Sequence, residues 1–129
     1  VDARMVAAIN GTALGGGFEI CLASHYRIAA ANPKTRVGQP EVKLGLLPGA
    51  GGTQRIPRLI GVMNAAPILL EGKDQTVEQA KGLGLIHEVV PPDRLETRVA
   101  ALASELHERD VAGGRAWVTP QRPRHRRAA

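Results

Sequence analysis

Two glutamates are the residues best placed by type and spacing to do chemistry. Glu19 stands in "ALGGGFEI" and Glu41 in "GQPEVKLGLLPGAGGTQR", 22 residues apart and each beside turn-forming glycines. A lone Glu in an apolar segment usually finds a basic partner or the surface. Two carboxyls set beside glycine turns suggest a pair for acid–base work on one substrate. Gly15, Gly16 and Gly17 give up more backbone entropy than any other triplet, so something requires them. A tight strand-to-helix turn there would expose N–H groups at a helix N-terminus, which suits a developing oxyanion. Close packing of the backbone is the competing explanation of the same glycines. A dinucleotide fingerprint is excluded, because the position that needs its third glycine is Ile20. A phosphate-binding loop is excluded too, because Gly72-Lys73 is followed by Asp74 and lacks the upstream glycine.

The elements that must hold these residues follow from pattern. "MVAAIN" predicts a short buried strand closed by Asn10 and Gly11. "FEICLASHYRIAA" starts with helical spacing and turns strand-like, "ANPKT" is a loop, and "RVGQPEVKLGLLPGAGG" reads as strand and loop. "GTQRIPRLIG" predicts a helix capped by Gly61. "VMNAAPILLEGKD" predicts another, kinked by Pro67 or carrying it in the first turn. Thr76 and Gln79 form a capping box for a helix ended by Gly82 or Gly84. "LIHEVV" is a strand, and Asp93 with Glu96 opens a final helix whose apolar stripe is Leu95, Val99, Leu102, Ala103 and Leu106. Strands alternating with helices define the fold class as α/β.

Composition narrows the function. The chain has 129 residues, 43% of them hydrophobic, enough for one modest core, and only 2% aromatic. Of 17 basic residues, Arg115, Arg122, Arg124, Arg126 and Arg127 lie beyond residue 110, where no acid occurs. This leaves residues 1–110 with 12 basic against 12 acidic side chains. The net charge of +5 therefore belongs to a basic tail, residues 111–129, expected to be disordered and dispensable for stability. Without basic clusters or stacking aromatics on the folded part, nucleic-acid binding is not expected. No run reaches membrane-spanning length, and the single Cys21 fits a reducing compartment, so the cytoplasm is the expected location. Cys21 reads as a small core residue, while His25, His87 and His107 lack ligand spacing, so no metal site is expected.

"AAINGTALGGGFEICLASHYRIA" and "GQPEVKLGLLPGAGGTQRIPRLIG" resemble the two signature blocks of the enoyl-CoA hydratase/isomerase (crotonase) family. "ILLEGKDQTVEQAKGLGLIHEVVPPDRL" continues the likeness, which covers residues 5–106 and is nearest to the hydratase domains of multifunctional fatty-acid oxidation proteins. The resemblance implies a spiral of ββα units and C-terminal helices that help build a trimer. It implies an acyl-CoA thioester substrate, whose coenzyme A is part of the substrate, and no separate cofactor. Gly16 matches the glycine whose N–H receives the thioester oxygen, and Gly49 matches a glycine lining the same pocket. Glu19 and Glu41 match the two hydratase glutamates that hold one water. Glu41 matches the one that hands a proton to the α-carbon.

Both glutamates together imply hydration of a 2-enoyl-CoA, whereas isomerases of the family lean on the second alone. The family's first oxyanion donor and much of its CoA surface come from a segment that would precede Val1. Residues 1–110 are thus expected to be a partial domain with its N-terminal part missing, and residues 1–129 alone to be at best marginally folded with negligible hydration. The alternatives are an isomerase, or a catalytically incomplete fragment with an assembly role.

Overall fold

The computed structural model describes residues 4–111. Strand β1 (Val6–Ile9) leads through the two-residue β2 (Ala13–Leu14) into helix α1 (Gly16–Ala23). The next coil repeats the order: β3 (Tyr26–Ala30), β4 (Arg36–Gly38), a 3-10 turn at Pro40–Leu44, then α2 (Gly52–Ile60) and α3 (Val62–Leu70). The chain continues through β5 (Gln75–Thr76), α4 (Val77–Leu83), β6 (Glu88–Val90), a short 3-10 turn at Pro92–Arg94 and α5 (Leu95–Val111).

Successive strands go to different sheets. One sheet has the order β1-β3-β6 and is wholly parallel, with Ala8 opposite Ile28 and Ala29 opposite Val89. The other has the order β2-β4-β5; β2 runs parallel to β4, pairing Leu14 with Gly38, and β5 runs antiparallel to β4. The first two coils each add one strand to each sheet and then a helix, while the third adds β5, α4 and β6 in turn; this is the ββα spiral and an α/β fold. Parallel strands are covered on both faces, and β3 obeys this from Arg27 to Ala30. Ala29 joins Phe18, Leu22, Val37, Ile56 and Ile60 in the main core. Its neighbours Ile28 and Ala30 point the other way, onto Leu95, Leu102 and Leu106 of α5.

Several expectations about the elements are met. Thr76 caps α4 with both bonds of its capping box, and Gly84 ends that helix at φ +95°. Gly61 ends α2. Four need correction. The strand in "LIHEVV" shortens to Glu88–Val90, with Leu85 and Ile86 buried just before it. The α5 stripe omits Ala103, which is exposed; buried Leu95, Leu102 and Leu106, with Val99 packed against them, form a narrower seam. Of the two places expected for Pro67, the first turn is the one overturned: it is the sixth residue of α3, and the helix continues past it. Its missing donor leaves the Met63 carbonyl without a helical partner, and Met63 is 86% exposed, so water can serve that group. Finally, α5 extends to Val111, the first residue of the expected tail, and residues 112–129 lie outside the described residues.

Arg27 is the feature that sequence patterning missed. Its side chain is buried with no carboxylate as partner. The guanidinium donates instead to main-chain carbonyls: Leu85 at 2.6 Å, Ser24 at 3.0 Å, and Cys21 and Leu22 at 3.4 Å. Three of these lie at or just past the C-terminal end of α1, where free carbonyls and the helix dipole favour a cation. Burial lowers the Arg27 pKa to about 10, which still leaves it charged at neutral pH.

His87 is tied to the same residue. Its Nδ1 accepts the Arg27 N–H at 3.0 Å, its own backbone N–H donates to the Arg27 carbonyl at 3.0 Å, and its ring stacks on Tyr26 at 4.1 Å. An accepting Nδ1 carries no proton, so protonation breaks this bond. Burial first and then the Arg27 charge lower the His87 pKa to about 4, while neighbouring Glu88 pulls the other way. The unfolded chain therefore binds the proton at higher pH than the folded one. Stability from His87 is fully present above pH 6.5 and declines as pH falls toward 4. Melting temperature followed across that window is expected to fall more steeply in the wild type than in His87→Gln, whose amide oxygen can still accept. Equal slopes would refute this.

Candidate functional site

Gly15 has φ +59° and ψ −131°, a conformation that L side chains rarely adopt, and it stands immediately before α1. Its N–H donates to Gly38 O at 2.9 Å, and its carbonyl accepts the Glu19 N–H at 3.0 Å. That is the first rung of the helical ladder, so the amides of Gly16, Gly17 and Phe18 have no helical acceptor. A Cβ on Gly16 or Gly17 would meet no atom within 4 Å. The backbone is thus bare and open at Gly16, as the sequence suggests. The sterically demanding member of the triplet is Gly15, where a Cβ would lie 2.8 Å from Glu41 Oε1.

Glu19 is the fourth residue of α1, and its side chain is turned inward, leaving the residue 2% exposed. Glu41 is the second residue of the 3-10 turn at Pro40–Leu44, which follows β4. Because β4 pairs with β2, the turn bearing Glu41 comes to rest against the glycine turn that opens α1. Two further residues complete the cluster. Gln39 is fully buried and donates its Nε2 to Gly15 O at 3.1 Å. Gly52, the first residue of α2, brings its backbone so close that a Cβ there would lie 3.0 Å from Glu19 Oε1 and 3.1 Å from the Gln39 amide. Gly49 is exposed in the loop leading to Gly52, and a Cβ on it would touch nothing within 4 Å.

The hydrogen-bond balance of this cluster is unusual. Among the described residues, the buried side-chain oxygens without a partner are Glu19 Oε1, Gln39 Oε1 and Glu41 Oε2. Each such group costs about 1–3 kcal/mol, and native proteins hold few of them. Three in one region leave acceptors that no group of the described chain serves. The arrangement can do two things chemically: accept and release protons at two carboxyls, and receive negative charge on the amides of α1.

The structure therefore brings Glu19, Glu41 and Gly16 together and sets Gly49 on the adjoining loop. Gly15, Gln39 and Gly52 were not singled out as site residues by the sequence. Gln39 lies two residues before Glu41 in "GQPE", and Gly52 closes "GAGG", but only the packing of β4 against β2 shows where they point. Cys21 is half-buried against the core, and burial raises its thiol pKa, as befits an unreactive side chain. Among the described residues there is no group of three His, Cys, Asp or Glu placed to hold a metal. Nor is any described helix long and apolar enough to cross a membrane.

A ββα spiral that places a buried and a half-buried carboxyl beside a glycine-opened helix is the architecture of the crotonase class. Residues 1–116 match the enoyl-CoA hydratase/isomerase family, and the chain belongs to that family. Among its relatives is the fatty acid oxidation complex subunit alpha of Shewanella halifaxensis (strain HAW-EB4). It is 56% identical over 87 residues, which make up 67% of this chain and 12% of that protein. The solved enoyl-CoA hydratase of Bacillus anthracis superposes with a TM-score of 0.76 at 44% identity, over 81% of this chain and 40% of its own. An enoyl-CoA hydratase/isomerase from Cupriavidus metallidurans CH34 superposes at 0.74 with 31% identity, over 80% of this chain and 38% of its own. The chain thus spans well under half the length of these relatives.

Proposed function

We propose that the intact protein adds water across the double bond of a 2-enoyl-CoA to give a 3-hydroxyacyl-CoA, a step of fatty-acid β-oxidation. The observation that carries this reading is the pair of carboxyls, buried Glu19 and half-buried Glu41, each with one enclosed and unpartnered oxygen, beside the open amides of α1. The thioester oxygen would accept the Gly16 N–H, and the N-terminal end of α1 would stabilise the enolate charge. Glu19 would hold the water and take one of its protons as the oxygen bonds to the β-carbon. Glu41 would give a proton to the α-carbon. Gly49 would line the acyl-CoA pocket.

Coenzyme A arrives as part of the substrate, and the chemistry calls for no further cofactor. In this reading the intact protein works in the cytoplasm as a trimer-type homo-oligomer or as part of a multifunctional complex. The relative from a fatty acid oxidation complex supports the second arrangement.

The test is to incubate the intact protein with a short 2-enoyl-CoA and follow loss of the conjugated thioester absorbance, with product analysis. Formation of the 3-hydroxyacyl-CoA is expected. Double-bond migration without hydration would identify an isomerase relying on Glu41. No turnover and no thermal stabilisation by an acyl-CoA would indicate an assembly role.

A further inference from the structure

Residues 47–50 lie between the turn that bears Glu41 and the start of α2, and they include Gly49. Leu47, Pro48, Gly49 and Ala50 have no polar side chain. Before them the Leu46 N–H donates to Glu41 O at 3.0 Å, and after them the Gly51 carbonyl accepts from the amides of Gln54 and Arg55. Among the described residues, no backbone–backbone hydrogen bond holds the four between. Gly49 and Gly51 leave such a stretch many conformations to choose from. One hydrogen bond does hold it: Arg55 Nη1 donates to Ala50 O at 3.0 Å. Arg55 is the fourth residue of α2 and half-buried, and its guanidinium lies against Gly51. A Cβ on Gly51, which adopts φ +99°, would collide with Nη1 and stand 3.1 Å from Cζ. A cation one turn from a helix N-terminus opposes the dipole, and among the described residues Arg55 has no ion pair to offset this. The Ala50 carbonyl is the partner that this position supplies.

We infer that Arg55 is a positioning residue for substrate binding, whose guanidinium clasps the Ala50 carbonyl and so holds the Gly49 loop in the form that receives the acyl-CoA. What the loop lines rests on the hydration reading above; what holds the loop rests on the geometry alone. Gly52, Ile56 and Ile60 bury the inner face of α2, so the guanidinium reaches the loop from a fixed base. Its planar fork also loses less freedom per hydrogen bond than a lysine ammonium would. Without the clasp, residues 47–50 sample other conformations, and apparent affinity falls with the population of the competent one. The rate of the bound complex changes little, because Glu19 and Glu41 are carried by α1 and the 3-10 turn and not by this loop.

The experiment compares wild type, Arg55→Met and Arg55→Lys in the intact protein. It reads kcat and KM for a short 2-enoyl-CoA, melting temperature, and the rate at which proteinase K cuts between residues 46 and 51. Arg55→Met is expected to raise KM by about tenfold, as for a loop competent in roughly a tenth of the molecules. Its kcat is expected to change by less than about threefold, and its melting temperature to stay close to wild type. Cutting within the loop is expected to quicken several-fold, and saturating acyl-CoA to suppress it. Arg55→Lys, which keeps a donor for the Ala50 carbonyl, is expected to recover most of the lost affinity. A merely structural Arg55 would lower melting temperature and kcat together and leave KM in place, which would overturn the proposal. Unchanged KM and unchanged cutting in Arg55→Met would overturn it as well. A guanidinium that touched the phosphates of coenzyme A would give a KM penalty that fades at high salt with no change in cutting, and that result too would overturn it. Absence of hydration in the wild type would instead refute the hydratase reading, while the cutting rates still decide what holds the loop.

Discussion

In the intact protein, Glu41→Gln is expected to lower hydration turnover by ~10² or more, the usual share of a lost proton donor in acid–base catalysis. The change is close to isosteric, so folding should be spared. The carboxyl lies on a short 3-10 turn, makes no ion pair among the described residues, and keeps Oε2 buried without a partner. Glu19→Gln is expected to harm hydration at least as much, because in the proposed reaction the same water depends on both groups, while leaving more of any isomerisation. Steady-state rates on a 2-enoyl-CoA, measured beside melting temperatures, separate the two roles. Hydration that persists within about tenfold of wild type in both variants would remove the assignment.

Gly15→Ala is expected to be nearly as damaging without touching either glutamate. Two costs combine at this position. A side chain at φ +59°, ψ −131° carries about 1–3 kcal/mol of backbone strain. The new methyl would also stand 2.8 Å from Glu41 Oε1, a separation that requires the carboxyl to move. A displacement near 1 Å at a reacting group costs on the order of a hundredfold in rate. Gly16→Ala is the informative comparison, because it meets no protein atom within 4 Å and sits in helical backbone. Its folded stability should hold, and any loss of turnover should come through approach of the thioester to the amide. A Gly15→Ala protein with normal turnover would show that the glycine turn does not set the position of Glu41.

Much of this was legible in the sequence where local signals are strong. The capping box at Thr76 and Gln79 and the stop at Gly61 each act within one turn of chain, and all appear as expected. The two glutamates were legible as a pair because each stands beside glycine turns. The failures share a physical cause as well. Two-residue strands such as Ala13–Leu14 and Gln75–Thr76 are too short to show a period, yet the first of them fixes where β4 docks. A proline inside a helical pattern leaves open whether it stands in the first turn or the middle, and at Pro67 the deprived carbonyl belongs to the exposed residue Met63. Arg27 carries no local signal of its burial, because nothing near it in sequence reveals the carbonyl-lined end of α1. Gln39 reads as a loop amide because its partners, Gly15 and Gly52, meet it only through the sheet.

The commitment of Gly15 to the neighbouring coil has a consequence for how the protein acquires its shape. Its N–H bonds to Gly38 and its carbonyl to Gln39, both more than twenty residues downstream. α1 has only eight residues, well short of the ~12–15 at which an isolated helix begins to hold in water. Contacts that close a loop of this length must wait for the chain to be brought together. During folding, the turn that presents the amides is expected to settle only after β4 has docked, so the geometry of the candidate site comes late and in one step with the second coil. A nascent chain that has emerged as far as Glu19 therefore carries the glycines of the site without yet having the site.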